Sequence, residues 1–389
     1  MLTKDTVVLE VGTSKLSAVI GSVNENGVYD IKSIYKKDYA GFMNGEWLEE
    51  EKLDDEVFDV LQNAMEKAGL KSIKKIFIGV PSEFSSVVVK EVATQFEKPK
   101  TINNRDLEAL FDKGDDFQNK SFSTINRSPI YYKLYDGKRI VNPIGAQTDV
   151  LTGMLSYVLC DRSFVNVFER MLNGFGVKQV EFISESLASV VGLFEPEQRD
   201  RYVVLLDVGY LTSSVSLARG DGLLHLASFS LGGANIAADI SDYLAVPYQK
   251  ANDIKEGLDL NLVPTLNDFY RVSYRGESYR VAYHDIYELV YDRLDVIASY
   301  LKKAIDMCAY DFPQYLPIYL VGGGISYLRG AREYLSKAID RPIEIIGPKV
   351  PNYEKPEYSV LMGLLKVACN ANISLWENLK NKIKGFLTK

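Results

Sequence analysis

A glycine-containing turn, Glu10-Val11-Gly12-Thr13-Ser14-Lys15, joins the first two predicted strands of the chain. A turn of the same kind, Asp207-Val208-Gly209-Tyr210-Leu211-Thr212, joins two strands of the second half. Glycine lets a bound group approach the backbone closely, and hydroxyl and N–H groups donate hydrogen bonds to phosphate oxygens. An acidic residue that ends a strand, as Glu10 and Asp207 do, is suited to hold a hydrated Mg²⁺ ion beside those phosphates. Two such hairpins therefore predict a clamp that holds a phosphate chain from both sides.

A third glycine turn, Gly322-Gly323-Gly324, follows a short apolar run, Leu316 to Val321. A backbone without side chains offers a flat surface, so this turn predicts a support for an adenine base. The strands around the two hairpins also repeat, because three predicted strands form a meander in each half. With crossover helices after each meander, the sequence predicts a duplicated α/β fold whose sheets are covered by helices on both sides. The predicted strands are Thr6–Val11, Leu16–Val23 and Tyr29–Tyr35 in the first half, and Tyr202–Val208, Ser213–Ala218 and Leu223–Ser230 in the second.

Residues 82–159 have a different pattern from the rest of the chain. Two extended runs, Ser85–Phe96 and Ile125–Tyr135, flank a predicted helix, Asn103–Asp112, that Asn103 or Asn104 can cap. We interpret this stretch as an inserted α+β subdomain. Other predicted elements are helices at about Asp54–Ala68, Asp161–Asn173, Glu185–Leu193 and Asp285–Cys308, strands at Lys75–Val80 and Val177–Ile183, and a chain break at Glu195-Pro196-Glu197. The predicted domains are 1–81 with 160–195 (first lobe), 82–159 (insert), 196–240 with 310–368 (second lobe), 241–309 (small subdomain of the second lobe) and 369–389 (linker and terminal helix).

The composition of the 389 residues argues against several classes of protein. The formal net charge of −7 argues against nucleic-acid binding, which needs a basic face. Cys160, Cys308 and Cys369 are far apart and odd in number, so neither a disulfide framework nor a zinc site is expected. His225 and His284 are too isolated for a catalytic triad. With no signal region and no run of about 18 apolar residues, we expect a cytoplasmic protein unless it lies on a membrane surface.

The last residues, Ser374 to Lys389, have a basic amphipathic pattern. They contain four lysines and one glutamate in a chain whose net charge is −7. A basic amphipathic helix of this kind is typical of a segment that lies in the membrane interface. A helix docked on its own domain or on a partner is the alternative. The predicted apolar face consists of Leu375, Trp376, Leu379, Ile383, Phe386 and Leu387, and the lysines expected to meet anionic lipids are Lys380, Lys382 and Lys384.

These motifs together carry a resemblance to a known superfamily. The two hairpins and the third glycine turn resemble the two phosphate loops and the adenosine loop of the fold shared by actin, sugar kinases and the heat-shock ATPases. Within that superfamily the chain is most similar to the FtsA family of bacterial cell-division proteins, in which an insert occupies the same place. The similarity runs in collinear order from the first strand to about residue 368. Its motifs are Leu9 to Lys15, Asn142-Pro143-Ile144-Gly145, Glu185-Ser186-Leu187-Ala188-Ser189, Leu231-Gly232-Gly233-Ala234-Asn235-Ile236 and the Gly322–Gly324 turn.

The resemblance implies that the chain binds ATP with Mg²⁺, and it assigns roles to particular residues. Glu10 and Asp207 would hold the metal through water, and Glu185 would lie near the metal or the hydrolytic water as the catalytic candidate. Lys255 would approach the adenosine. The implied nucleotide contacts are Gly12, Thr13, Ser14, Lys15, Gly209, Thr212, Gly232, Gly233, Lys255, Gly322, Gly323 and Gly324.

Three positions depart from the FtsA pattern. Tyr210 stands where a second glycine is usual, and Ser214 stands where an aspartate is usual. Asn252 stands where a ribose-binding glutamate is usual. A tyrosine in the second phosphate loop interferes with close approach of phosphate. We therefore expect nucleotide binding with at most weak hydrolysis, and a pseudo-ATPase that uses nucleotide structurally stays open.

The resemblance implies an adaptor that polymerises on the cytoplasmic face of the cell membrane at the division site and tethers the FtsZ ring. The expected partners are the C-terminal tail of FtsZ, other division proteins, further copies of the chain and anionic lipids. The FtsZ tail would dock on the 241–309 subdomain, whose tyrosines fit either internal packing or a docking face. One alternative is an actin-like assembly protein of a type IV pilus, which is not expected to end in a basic helix. Another is a small-molecule kinase, for which we identify no candidate catalytic aspartate in a cleft.

Overall fold

The computed structural model describes residues 5–24, 26–117, 119–265, 267–274 and 277–371. Most strands and helices lie within two or three residues of their predicted bounds. In chain order, the strands are β1 (Thr6–Val11), β2 (Lys15–Val23), β3 (Tyr29–Asp38), β4 (Phe42–Met43), β5 (Glu46–Trp47), β6 (Lys75–Val80), β7 (Ser85–Thr101), β8 (Phe122–Lys133), β9 (Arg139–Ile140), β10 (Gln147–Asp161), β11 (Gln179–Ser184), β12 (Val203–Val208), β13 (Ser213–Arg219), β14 (Gly222–Phe229), β15 (Phe269–Tyr274), β16 (Glu277–Ala282), β17 (Ile318–Val321) and β18 (Ile343–Ile345).

The helix ends follow local capping chemistry. The Asn103 side chain accepts a hydrogen bond from the Arg105 N–H at 2.9 Å, which confirms the predicted cap. Gly69 ends the first helix in the left-handed conformation, with φ of 70°. The helices are α1 (Glu50–Ala68), α2 (Asn104–Gly114), α3 (Arg162–Gly174), α4 (Glu185–Leu193), α5 (Pro196–Arg199), α6 (Gly233–Leu244), α7 (Tyr248–Glu256), α8 (Tyr283–Asp306) and α9 (Ala331–Ile339), and residues 359–371 are also helical.

One predicted helix boundary is wrong. Helix α1 begins at Glu50 rather than near Asp54, because acidic residues in the first turn interact favourably with the helix dipole. The predicted break at Glu195-Pro196-Glu197 separates α4 from β12, and the short helix α5 lies within it. Proline is tolerated in the first turn of a helix, where its missing N–H costs no hydrogen bond.

Two five-stranded sheets share one strand order. The first sheet has the order β11-β6-β1-β2-β3 and the second has the order β18-β17-β12-β13-β14. In each, a meander of three strands continues into two further strands that run parallel to the first strand of the meander. Helices connect the parallel strands, as parallel pairing requires. The predicted duplication of architecture is therefore confirmed.

The insert forms a separate sheet of order β7-β10-β8-β9, with α2 on one face. Its central strand, β10, pairs with both β7 and β8 and is missing from the sequence prediction. Gly153 lies in the middle of β10, where a glycine ordinarily weakens a strand. In the fold, this glycine makes room for side chains, because a Cβ there would lie 2.8 Å from Leu155 and 2.9 Å from Leu110.

The described residues form two compact units. The first consists of the chain up to Val203, Ser216–Leu226 and the part from Pro348 onward. Here α1 and α3 cover one face of the first sheet, and the 359–371 helix covers the other. The second unit consists of Val204–Val215 and Ala227–Gly347, and in it α8 packs against α6 and α9. Among the described helices, none is long and apolar enough to cross a bilayer.

Candidate functional site

The first hairpin is a tight turn between β1 and β2. The Gly12 N–H donates a hydrogen bond to the Lys15 carbonyl at 3.0 Å, and Thr13 is buried within the turn. Gly12, Thr13 and Ser14 therefore make up the predicted turn between the two strands. The Lys15 side chain forms a largely exposed ion pair with Asp38, with 3.7 Å between Lys15 Nζ and Asp38 Oδ1.

Two residues that the sequence analysis did not identify lie behind the first hairpin. The Tyr39 hydroxyl donates a hydrogen bond to the Gly12 carbonyl at 2.7 Å, and the Tyr39 N–H donates to the Ser14 carbonyl at 3.1 Å. Gly41 has φ of 82° and its backbone lies directly against Thr13, so a Cβ at Gly41 would collide with the Thr13 carbonyl. The hairpin is thus held from one side by the segment that follows β3.

The predicted catalytic candidate, Glu185, lies beside this hairpin. It is the first residue of α4, whose N-cap is Ser184. Its Oε1 accepts a hydrogen bond from the Val11 N–H at 3.3 Å. Gly79 provides the space for the carboxylate, because a Cβ there would lie 2.7 Å from Glu185 Oε1. The first unit therefore brings together Glu185 and the end of β1, where the half-buried Glu10 lies.

The second hairpin has the same closing hydrogen bond as the first. The Gly209 N–H donates to the Thr212 carbonyl at 2.8 Å. The Gly209 and Tyr210 carbonyls accept hydrogen bonds from the first two N–H groups of α6, those of Gly233 at 3.0 Å and Ala234 at 2.8 Å. This hairpin is thus also held from one side.

The predicted glycines of the second unit converge on this hairpin. A Cβ at Gly232 would lie 2.6 Å from the Gly209 carbonyl oxygen, and a Cβ at Gly233 would lie 2.5 Å from Gly324 Cα. The Gly324 N–H donates to the Val208 carbonyl at 2.8 Å. Because the Gly209 hairpin, the start of α6 and the Gly324 turn touch through backbone atoms, no larger residue fits at Gly232, Gly233 or Gly324.

Two charged side chains of the second unit have shifted pKa values. Burial raises the pKa of Asp207 to about 6, and Gly322, with φ of 85°, lies directly against its carboxylate. Burial lowers the pKa of Lys255, whose Nζ donates a hydrogen bond to the Gly233 carbonyl at 3.3 Å. The buried Lys255 therefore lies at the start of α6, while Gly323 is exposed.

The three residues that depart from the FtsA pattern have identifiable surroundings. The Tyr210 ring is 37% exposed and lies edge-on to Tyr248, with 6.2 Å between ring centroids. Ser214 is buried in β13. The Asn252 amide donates to Glu256 Oε1 at 2.8 Å, so this side chain forms a bond within its own helix.

Two tyrosines of the 241–309 subdomain contribute to internal packing. The hydroxyls of Tyr287 and Tyr291 donate to the backbone carbonyls of Asp259 and Leu260, at 2.8 and 3.1 Å. The Tyr291 ring also contacts Tyr334, with 4.8 Å between centroids. These contacts favour the packing interpretation for these tyrosines. The membrane-helix residues Leu375, Trp376, Leu379, Lys380, Lys382, Ile383, Lys384, Phe386 and Leu387 lie outside the described residues.

Solved structures of actin-like proteins share this fold. The structure described as the PilM-PilN type IV pilus biogenesis complex matches with a TM-score of 0.63 and 18% identity, over 94% of this chain and 99% of that one. MreB5 of Spiroplasma citri bound to AMPPNP matches with a TM-score of 0.57 and 12% identity, over 98% and 100%. The chain therefore has the actin-like α/β fold, as predicted.

Sequence comparison points to one family among the proteins that share this fold. Residues 204–363 match the family model described as cell division protein FtsA. The FtsA of Pseudomonas aeruginosa is 21% identical over 92% of this chain and 87% of that protein, and the FtsA of Neisseria meningitidis is 22% identical over 93% and 89%. The resemblance to FtsA is therefore confirmed, at low sequence identity.

Proposed function

We propose that the chain is an ATP-binding adaptor that assembles on the cytoplasmic face of the cell membrane at the division site and tethers the FtsZ ring. The main support for nucleotide binding is the way in which the second hairpin is held against α6. A trans peptide directs its N–H to the side opposite its C=O. Because the Gly209 and Tyr210 carbonyls face α6, the N–H groups of Tyr210 and Leu211 point the other way. Two successive N–H groups on one side form a concave site for an anion such as phosphate.

The charged residues fit ATP bound with Mg²⁺. With a pKa of about 6, Asp207 is mostly ionised at pH 7 and can hold a hydrated metal ion, and Glu10 occupies the equivalent strand end in the first half. Lys255 and the Gly322–Gly324 turn would contact the adenosine. Hydrolysis would be weak at most, because Glu185 is bonded to the Val11 N–H and Tyr210 occupies the second hairpin.

The proposed membrane attachment rests on the sequence of residues 374–389. Their apolar face, half-buried in lipid, would contribute a few kcal/mol, from roughly 1.5–3 kcal/mol for each fully buried side chain. Each lysine adds at most ~1 kcal/mol on an anionic leaflet. A single copy would therefore bind reversibly, and assembled copies would bind through avidity. The proposed partners are the C-terminal tail of FtsZ on the 241–309 subdomain, other division proteins and further copies of the chain. The subdomain bounds given above are part of this proposal.

Co-sedimentation with anionic vesicles tests the proposal. The full chain and a variant lacking Ser374–Lys389 are compared with and without ATP and Mg²⁺, with neutral vesicles as the lipid control. We expect binding that needs the tail and increases with nucleotide. Binding that needs the tail but ignores nucleotide would favour a nucleotide-insensitive pseudo-ATPase anchor. A full chain that stays in solution throughout would contradict membrane attachment.

The second candidate is an actin-like assembly protein of a type IV pilus, favoured by the fold match to the PilM-PilN complex at a TM-score of 0.63. The basic tail argues against it, since a pilus relative is not expected to end in such a helix. Binding of a synthetic FtsZ C-terminal peptide to the full chain separates the two candidates. Saturable binding supports the division adaptor, whereas its absence, together with tail-independent behaviour on vesicles, supports the pilus candidate.

A further inference from the structure

The two hairpins are anchored by different groups. In the second unit, backbone N–H groups at the start of α6 bond to the carbonyls of Gly209 and Tyr210. In the first unit, the carbonyl equivalent to that of Gly209 belongs to Gly12, and a side-chain hydroxyl, that of Tyr39, bonds to it at 2.7 Å. A single side chain thus occupies the position that a helix N-terminus occupies in the other half.

The bond to Tyr39 fixes the orientation of one peptide plane. The Gly12 carbonyl points toward Tyr39, so the Thr13 N–H of the same trans peptide points the opposite way. The Tyr39 N–H also donates a hydrogen bond to the Ser14 carbonyl, at 3.1 Å. Tyr39 therefore contacts both ends of the turn from a single side.

We propose that Tyr39 is a positioning residue of the first phosphate hairpin, which orients the Thr13 N–H toward the phosphates of a bound nucleotide. This inference rests on the proposed ATP binding. It concerns the phosphate groups alone, because the residues proposed for the adenosine, Lys255 and the Gly322–Gly324 turn, belong to the other unit.

The surroundings of Tyr39 keep its hydroxyl a donor. Burial, and then the negative charge of Glu185, raise the pKa of Tyr39, so the phenol keeps its proton over the physiological range. The ring packs against the core cluster of the first unit, which fixes its position. Removing the hydroxyl alone therefore leaves the ring in place and releases the Gly12–Thr13 peptide.

The test is Tyr39→Phe in the full-length chain, with ATP, ADP and adenosine as separate ligands in the presence of Mg²⁺. A net hydrogen bond is worth about 1 kcal/mol, which corresponds to roughly a fivefold change in affinity. We expect the affinities for ATP and ADP to fall by roughly this factor, while that for adenosine stays unchanged. The matched control is Tyr35→Phe, which removes a hydroxyl from β3, four residues before Tyr39, and should leave all three affinities unchanged.

The outcomes separate this inference from the proposed function. If Tyr39→Phe weakens all three ligands equally, or none, Tyr39 has only a structural role and the inference is wrong. The unfolding temperature of each variant is measured without ligand, and a fall in stability with unchanged ATP affinity also contradicts positioning. If the unaltered chain binds ATP, a negative result concerns Tyr39 alone. If it binds no ATP, the proposed function fails and the inference fails with it.

Discussion

Gly192 and Gly363 meet where α4 crosses the 359–371 helix, so closely that a Cβ on Gly192 would lie 2.7 Å from Gly363 Cα. A Cβ on Gly363 would lie 2.6 Å from the Ala188 carbonyl carbon. These are backbone atoms, which cannot rotate away as a side chain can. The crossing therefore joins the helix that begins with Glu185 to the helix that precedes the terminal segment.

Gly363→Ala should destabilise the first unit by about 1–3 kcal/mol, because the added methyl group forces the two helices apart. Denaturant unfolding of the full chain measures the effect. The control is Gly174→Ala at the end of α3, where a Cβ meets no atom within 4 Å. This control should change stability by less than about 1 kcal/mol. Equal stability of Gly363→Ala and the unaltered chain would show that the helices can separate without cost.

Asp207→Asn should make the nucleotide-free chain more stable at pH 7 while weakening its binding of ATP with Mg²⁺. Burial raises the pKa of Asp207 from 3.8 to about 6, so the folded carboxyl keeps its proton to a higher pH than the unfolded one. The free energy of unfolding therefore falls as the pH rises from about 4 to 6, by at most ~3 kcal/mol, and this loss persists above pH 6. Asparagine carries no charge at any pH, so the free energy of unfolding of Asp207→Asn should not show this fall.

Denaturant unfolding of both proteins at pH 4 and pH 7, without nucleotide, checks the sign. The advantage of Asp207→Asn should be larger at pH 7 than at pH 4. An advantage that is the same at both values contradicts the raised pKa. ATP titration with Mg²⁺ at pH 7 measures the loss of binding, and a variant that keeps full affinity contradicts the metal role of Asp207.

Tyr210→Gly should increase ATP affinity, because it restores the small residue that lets phosphate approach the second hairpin. The substitution also removes the contact with Tyr248, which is worth about 0.5–1.5 kcal/mol, so stability should fall. Tyr248→Leu is the control, since it removes the same ring contact but keeps Tyr210. We expect lower stability with unchanged affinity for the control. If both variants bind ATP as the unaltered chain does, Tyr210 does not limit the site.

The sequence was sufficient for the parts of the fold that depend on local pattern. The hairpins at Gly12 and Gly209, the repeated meander and the Asn103 cap each depend on a few consecutive residues, and each is present in the structure. The central strand of the insert is missing from the sequence prediction, and the role of Gly153 in making room for Leu155 and Leu110 is apparent only in the fold.

The residues that hold the hairpins and Glu185 in place make contacts between distant parts of the chain, which the sequence alone does not reveal. Tyr39 lies after β3, and nothing in its local sequence indicates that its hydroxyl returns to the Gly12 carbonyl. Gly79 reads as an ordinary strand glycine until Glu185 is placed against it. The turns at Gly209, Gly233 and Gly324 were each identified from the sequence, whereas their direct contact through backbone atoms required the fold.

The proposed membrane helix yields a pair of variants that separates apolar from electrostatic binding. Ile383→Glu and Asn381→Glu each add one negative charge to the terminal segment. In a helix of 3.6 residues per turn, Ile383 lies on the apolar face, and Asn381 lies on the opposite one. The charge alone costs at most ~1 kcal/mol on an anionic leaflet, whereas a lost isoleucine costs a further 1.5–3 kcal/mol or so if it is fully buried.

Vesicle co-sedimentation of the two variants should therefore give unequal losses. We expect Ile383→Glu to weaken binding by at least about tenfold more than Asn381→Glu does, with ATP affinity unchanged in both. High salt should reduce the membrane binding of the unaltered chain, because screening weakens the attraction between the lysines and the anionic lipids. It should also reduce the difference in binding between the unaltered chain and Asn381→Glu, because that difference is electrostatic. The contribution of the apolar face is not screened. Equal losses in the two variants would show that the segment is held by charge, as a tail that lies on the lipid headgroups without inserting its apolar face.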